Sequence, residues 1–140
     1  MPTQALPRAD WSSRLRLPLI AAPMFRVSGP ELVIAACKAG VIGTFPTVNA
    51  RNIDGLGDWL TQIKAALGPQ DAPFGVNLIM RRDNLAEEIA CLVQHGVEFV
   101  ITSVGAPDAA LAPLHAIGCP VFADVASVRH AHKAVAAGVD

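Results

Sequence analysis

Five apolar runs punctuate the chain, at residues 17–24, 41–45, 74–79, 98–104 and 120–125. They are nearly continuous rather than alternating, the pattern of strands covered on both faces. Between them apolar positions recur at helical spacing. Residues 31–39 are opened by Ser28-Gly29-Pro30-Glu31, which predicts a capping box with Pro near the first turn. Residues 57–67 set Trp59, Leu60, Ile63 and Leu67 on one helical face. Residues 85–94 follow Asp83, a candidate N-cap, and residues 128–137 follow Ser127, another. Residues 108–117 carry Pro113, which predicts a kink or break.

A glycine joins most helical stretches to the next run. It recurs in Lys38-Ala39-Gly40-Val41, His95-Gly96-Val97, Ile117-Gly118-Cys119 and Ala137-Gly138-Val139, and Gly68-Pro69 closes another helix. Glycine takes the left-handed conformation that ends a helix, and the β-branched and aromatic residues after it favour a strand. Strand and helix alternating about five times predicts a parallel sheet with right-handed crossovers. A five-stranded doubly wound sheet fits this length, whereas a full barrel needs eight units and roughly 250 residues. Yet Val139-Asp140 stands where a sixth strand would begin. The expected fold class is therefore α/β, with about five parallel (β/α) units of an incomplete TIM (β/α)8 barrel. Residues 1–140 are expected to form the N-terminal part of one truncated barrel domain, with residues 1–16 as an N-terminal extension.

Composition agrees with an unfinished surface. The 140 residues are 52% hydrophobic and only 16% charged, against roughly 25% charged in average globular chains. A net charge of -1 offers no basic stripe for nucleic acid. No apolar stretch approaches the roughly 20 residues of a membrane span, and residues 1–16 lack the apolar core of a secretory signal. Cys37, Cys91 and Cys119 have no metal-type spacing and are expected as reduced, packed thiols. These features predict a cytoplasmic protein.

In parallel α/β folds ligands gather at the carboxyl ends of the strands. Those ends here carry Ala22-Pro23-Met24, Thr44-Phe45-Pro46, Asn77-Leu78-Ile79, Thr102-Ser103-Val104-Gly105 and Asp124-Val125-Ala126-Ser127. Asn77 interrupts an otherwise apolar run, and its amide offers the donor and acceptor that a planar heterocycle's polar edge needs. The alternative is that it ties neighbouring strand ends together. Asp124 is a carboxylate at a strand end; it either serves a ligand, caps the helix near Ser127 or pairs with Arg129. His130 and His132 lie two apart on a helix and point to nearly opposite faces, so no shared metal is expected. His95 stands beside a helix-closing glycine and His115 late in a helix, both structural positions. No P-loop, GxGxxG pattern or nucleophile elbow is present.

Leu17-Pro18-Leu19-Ile20-Ala21-Ala22-Pro23-Met24 resembles the opening strand of nitronate monooxygenases, formerly 2-nitropropane dioxygenases. Residues 32–44, Pro73-Phe74-Gly75-Val76-Asn77-Leu78 and the segment from Val121 to Ala131 are similar to that family's following units. The resemblance implies a (β/α)8 barrel holding FMN at the carboxyl ends of its strands. It places the backbone of Ala22, Pro23 and Met24 along the isoalloxazine and Asn77 at the flavin's pyrimidine end. Some members carry Lys at the position of Asp124, so its charge is reversed here. The implied reaction oxidises an alkyl nitronate with molecular oxygen to a carbonyl compound and nitrite, the flavin supplying the redox chemistry. The family's histidine base and its phosphate-binding strands would lie beyond Asp140, leaving no catalytic residue within the chain and the fragment alone inactive.

Two rivals stand beside this reading. One is a flavin-dependent enoyl-acyl-carrier-protein reductase-like enzyme, which shares the barrel and its early motifs. The other is a non-catalytic half-barrel that self-associates into a homo-oligomer through its open edge.

Overall fold

A computed structural model describes residues 10–140; the first nine residues of the expected extension lie outside it. The order is β1 (Ile20–Ala21), α1 (Pro30–Lys38), β2 (Ile42–Pro46), α2 (Ile53–Ala66), β3 (Phe74–Ile79), α3 (Leu85–His95), β4 (Phe99–Ser103), α4 (Asp108–His115), β5 (Val121–Ala123) and α5 (Val128–Ala137). Short 3-10 turns occupy Ser12–Arg14 and Thr47–Ala50. The strands form one sheet in the order β1-β2-β3-β4-β5, every pair parallel. Crossovers of one hand to the adjacent strand place every helix on the same face. That is the expected repeat of parallel (β/α) units.

Side chains alternate across the sheet. Phe45, Phe74, Val76, Leu78, Val100 and Val121 pack into one core with Val33, Leu56, Leu60, Ile63, Leu92 and Leu114 of the helices. By the same alternation Thr44, Gly75, Asn77, Ile79, Ile101 and Ser103 point to the opposite face. At the amino ends of the strands that face is closed by aromatic rings. Phe99 lies 5.4 Å from Trp11 and 5.7 Å from Phe122. Gly75 makes room for it, since a Cβ there would overlap the Phe99 ring. Arg14 fastens the preceding turn by a forked pair to Glu98 and a bond to the Asp71 carbonyl.

Several local expectations are corrected. Strand β1 spans two residues rather than the whole 17–24 run. Pro18 and Pro23 cannot donate to a ladder, and the bond from Ile42 N–H to the Leu19 carbonyl is followed only by a short register. Helix α2 starts at Ile53 instead of residue 57, because Asn52 caps it by accepting from Gly55 N–H at 2.7 Å. Gly29, not Ser28, is the N-cap of α1, and no side chain caps it. Asn84, not Asp83, precedes α3; its amide is engaged by Arg82 and Glu88 instead of capping. Pro113 does not break α4, which runs two residues past it before ending. The Ser127 cap is present, accepting from His130 N–H, and Gly96 and Gly138 close their helices in the left-handed conformation.

Among the described residues no further strand pairs with β1 or β5 at the two edges of the sheet. Leu17, Leu19 and Ile20 are exposed before and on β1, Val125 after β5, and Val128 and Val135 on α5. Asp140 lies against the β5 edge: its N–H donates to the Val121 carbonyl and its carboxylate accepts from Val121 N–H and pairs with His115. Among the described residues no helix is long and apolar enough to cross a membrane.

Candidate functional site

The carboxyl ends of the strands gather the residues singled out from the sequence, but not all in the roles foreseen. After β1, the Ala22-Pro23-Met24 turn doubles back through a compact loop. Ser28 is buried beneath it; its hydroxyl accepts from Met24 N–H at 2.9 Å and donates to the Ala22 carbonyl at 3.3 Å. This is why Ser28 is not free to cap α1. Asn49, on the turn after β2, completes the brace. Its Nδ2 donates to the Met24 and Ser28 carbonyls at 3.0 and 2.9 Å, and its Oδ1 accepts from Arg26 N–H at 2.9 Å. Ala22 and Met24 themselves are exposed. The turn thus presents backbone of fixed shape to solvent at the mouth of the sheet.

Asn77 lies on β3, one strand further along the sheet, with only 7% of its surface exposed. Its Nδ2 donates to the Ile101 carbonyl at 3.0 Å and to Ser103 Oγ at 2.9 Å. The Ser103 hydroxyl lies 3.3 Å from Asn77 Oδ1. Both amide hydrogens are therefore spent on β4, which is the strand-tying role. The Oδ1 atom has two lone pairs, of which the Ser103 hydroxyl engages one.

Asp124 is exposed and holds its place through its backbone, whose N–H donates to the Thr102 carbonyl. Among the described residues it forms no ion pair with Arg129 or any other cation. Ser127 performs the capping that was one option for Asp124.

Two features were not foreseen. Asn49 is one; the other is Glu88, a carboxylate only 2% exposed in the first turn of α3. It pairs with Arg82 Nε at 3.1 Å and accepts from Thr47 Oγ1 at 3.1 Å. Glu88 thereby ties the loop after β3 to the turn after β2. The signal in the sequence was faint, because Glu at that point of a helix is an ordinary first-turn residue.

The histidines take structural places. His95 Nδ1 lies 2.9 Å from the Cys91 carbonyl in the last turn of α3, and His130 and His132 are exposed on α5. Among the described residues no three potential metal ligands gather. Cys37, Cys91 and Cys119 are buried and unbridged. Burial raises the Cys37 thiol to about 11 and the Cys119 thiol to about 12. Neither is poised as a nucleophile. A shallow groove between α2 and α3, lined by Asp54, Asp58, Glu87 and His95 among others, lies in the helical layer and not at the strand ends.

No protein-family model matches the chain. A solved structure of FabK from Thermotoga maritima superposes with a TM-score of 0.81 at 25% identity, over 91% of this chain and 40% of that one. The chain is an incomplete TIM barrel. Among curated proteins it is 27% identical over 123 residues to a (3aS,4S,5R,7aS)-5-hydroxy-7a-methyl-1-oxo-octahydro-1H-indene-4-carboxyl-CoA dehydrogenase of Mycobacterium tuberculosis, covering 88% of this chain and 34% of that protein. It is also 37% identical over 70 residues to a nitronate monooxygenase of Paraburkholderia phytofirmans, covering 50% of this chain and 18% of the relative. The half-barrel thus spans about a third of the dehydrogenase it matches. The curated relatives are named as oxidoreductases.

Proposed function

We propose that this half-barrel is the N-terminal part of a flavin-dependent oxidoreductase, and that FMN is its cofactor. The observation that carries the reading is Asn77, a nearly buried amide toward the carboxyl end of β3 on the sheet face away from the helices, with the braced and exposed Ala22-Pro23-Met24 turn at the carboxyl end of β1 in the same sheet. A planar heterocycle with a polar rim needs an apolar surface for its ring and a hydrogen-bonding group at one edge. The residues present fit the ring end of a flavin in that sense. Asn77 Oδ1 would accept from a ring N–H, and the Ala22–Met24 backbone would lie along the ring. Asp124, exposed and without an ion pair among the described residues, is the third contact expected from the sequence; it would stand at the rim. When bound, the flavin supplies the electron transfer, and the protein orients it and excludes water.

For the substrate we favour an alkyl nitronate, oxidised with molecular oxygen to a carbonyl compound and nitrite. The 37% identity to a nitronate monooxygenase supports it. An enoyl-acyl-carrier-protein reductase-like activity is the second reading; the longer match to FabK, over 91% of the chain, favours that one. A third, self-association of a non-catalytic half-barrel, draws on the open edges at β1 and β5. Titration of the complete gene product with FMN, followed by absorbance and flavin fluorescence, tests the cofactor. In the complete gene product, nitrite release from nitroalkanes supports the first activity, whereas rapid flavin bleaching by NADH supports the second. An unchanged flavin spectrum across the titration sinks the flavin reading altogether.

A further inference from the structure

Val104 follows Ser103 at the carboxyl end of β4, and its backbone has φ +55°. A β-branched residue in the left-handed region is a conformational outlier, because Cβ crowds its own backbone there. Continued alternation along β4 would have sent Val104 into the helical layer, on the same side as Val100 and Thr102. The left-handed turn diverts it instead. Its side chain is 60% exposed, an apolar group displayed to solvent at the expense of a strained backbone.

The neighbours hold this geometry from both sides. Ser103 is hydrogen-bonded to Asn77, and its carbonyl accepts from Met80 N–H at 2.9 Å. Gly105, at φ +150°, packs so closely on the loop after β3 that a Cβ there would stand 2.8 Å from Met80 Cβ. The residue before Val104 is thus locked to the candidate cofactor contact, and the residue after it to the adjoining loop. Local strain maintained by an over-determined surrounding is characteristic of ligand-contact positions.

We propose that Val104 is a ring-contact residue: its side chain forms an apolar wall of the mouth beside Asn77, against which the flavin ring packs. This assignment rests on the flavin reading above, and two substitutions separate the two. Val104→Thr keeps the β-branched shape and the strained backbone but replaces one methyl by a hydroxyl. Val104→Gly removes both strain and wall. For Val104→Thr we expect an unchanged melting temperature without FMN and a Kd for FMN weakened about fivefold, as for one desolvated polar group in an apolar contact. For Val104→Gly we expect a melting temperature about 2–4 °C higher together with a Kd weakened about tenfold. Equal FMN affinity in the parent chain and both variants overturns the assignment while leaving the flavin reading intact. The measurements are made on the complete gene product, and its failure to bind FMN overturns both.

Discussion

The three cysteines show how burial alone decides chemistry at the scale of a residue. Cys37 and Cys119 have no surface worth the name, and loss of solvation for a thiolate raises them to about 11 and about 12. Cys91 is raised for the same first reason, with the Glu88 carboxylate adding to it. In the unfolded chain each returns to roughly 8.5. As pH rises, the unfolded state loses these protons first. The stability contributed by the protonated thiols is therefore complete below about pH 8.5 and declines as pH climbs through the folded values. Denaturant titrations at pH 8 and pH 10 are expected to show the lower midpoint at pH 10. At pH 8, iodoacetamide followed by mass spectrometry should label all three thiols only after denaturation; ready labelling of the native chain contradicts this burial. Asn77 makes the same point with hydrogen bonds. Asn77→Ala strands the Ile101 carbonyl and Ser103 hydroxyl, and we expect a loss of about 1–3 kcal/mol by urea unfolding even without flavin.

Among elements, legibility followed burial. Strands β2 to β4 were readable because residues such as Phe45, Val76 and Val100 are wholly enclosed, leaving unbroken apolar runs. β1 was overestimated because an apolar run does not reveal where prolines stop a ladder. The start of α2 was missed because Gly55 and Gly57 resemble helix breakers, while the Asn52 cap that overrides them is a single side chain. Of the site, Asn77 and the Ala22–Met24 turn stood out in sequence, but their braces did not. Asn49 acts on residues 21 to 25 positions away, and Thr47 meets Glu88 across 41 positions. No local pattern encodes such partners. The Glu88 tie makes a prediction of its own. Glu88→Ala leaves the buried Thr47 hydroxyl without its acceptor and removes the carboxylate partner of Arg82, which keeps only Asn84 Oδ1, and should cost about 1.5–3 kcal/mol. Glu88→Gln retains an acceptor for Thr47 and should recover part of that loss. Equal destabilisation by both variants contradicts a tie made through the side-chain oxygen.

For the molecule as a whole, the scarcity of charge finds its place at two open flanks. A sheet closed into a barrel has no edges, but here β1 and β5 are both terminal strands of the order. Exposed Leu17, Leu19 and Ile20 accompany one edge and Val125, Val128 and Val135 the other. Asp140 satisfies only the Val121 N–H and carbonyl of the β5 edge. An uncovered strand edge with apolar neighbours is a template for pairing with another chain. The 140-residue chain by itself should therefore associate as its concentration rises, and sedimentation velocity over a hundredfold range measures this. Leu19→Lys puts a charge on the exposed β1 flank at little cost to the fold, since that side chain is 54% exposed. Lysine at an edge opposes strand pairing, so the variant should remain monomeric at concentrations where the parent associates. Val135→Lys, on α5 rather than along a strand, should reduce association less. If the parent sediments as a monomer throughout, or if Leu19→Lys leaves its association unchanged, the open edges are not what brings copies of this chain together.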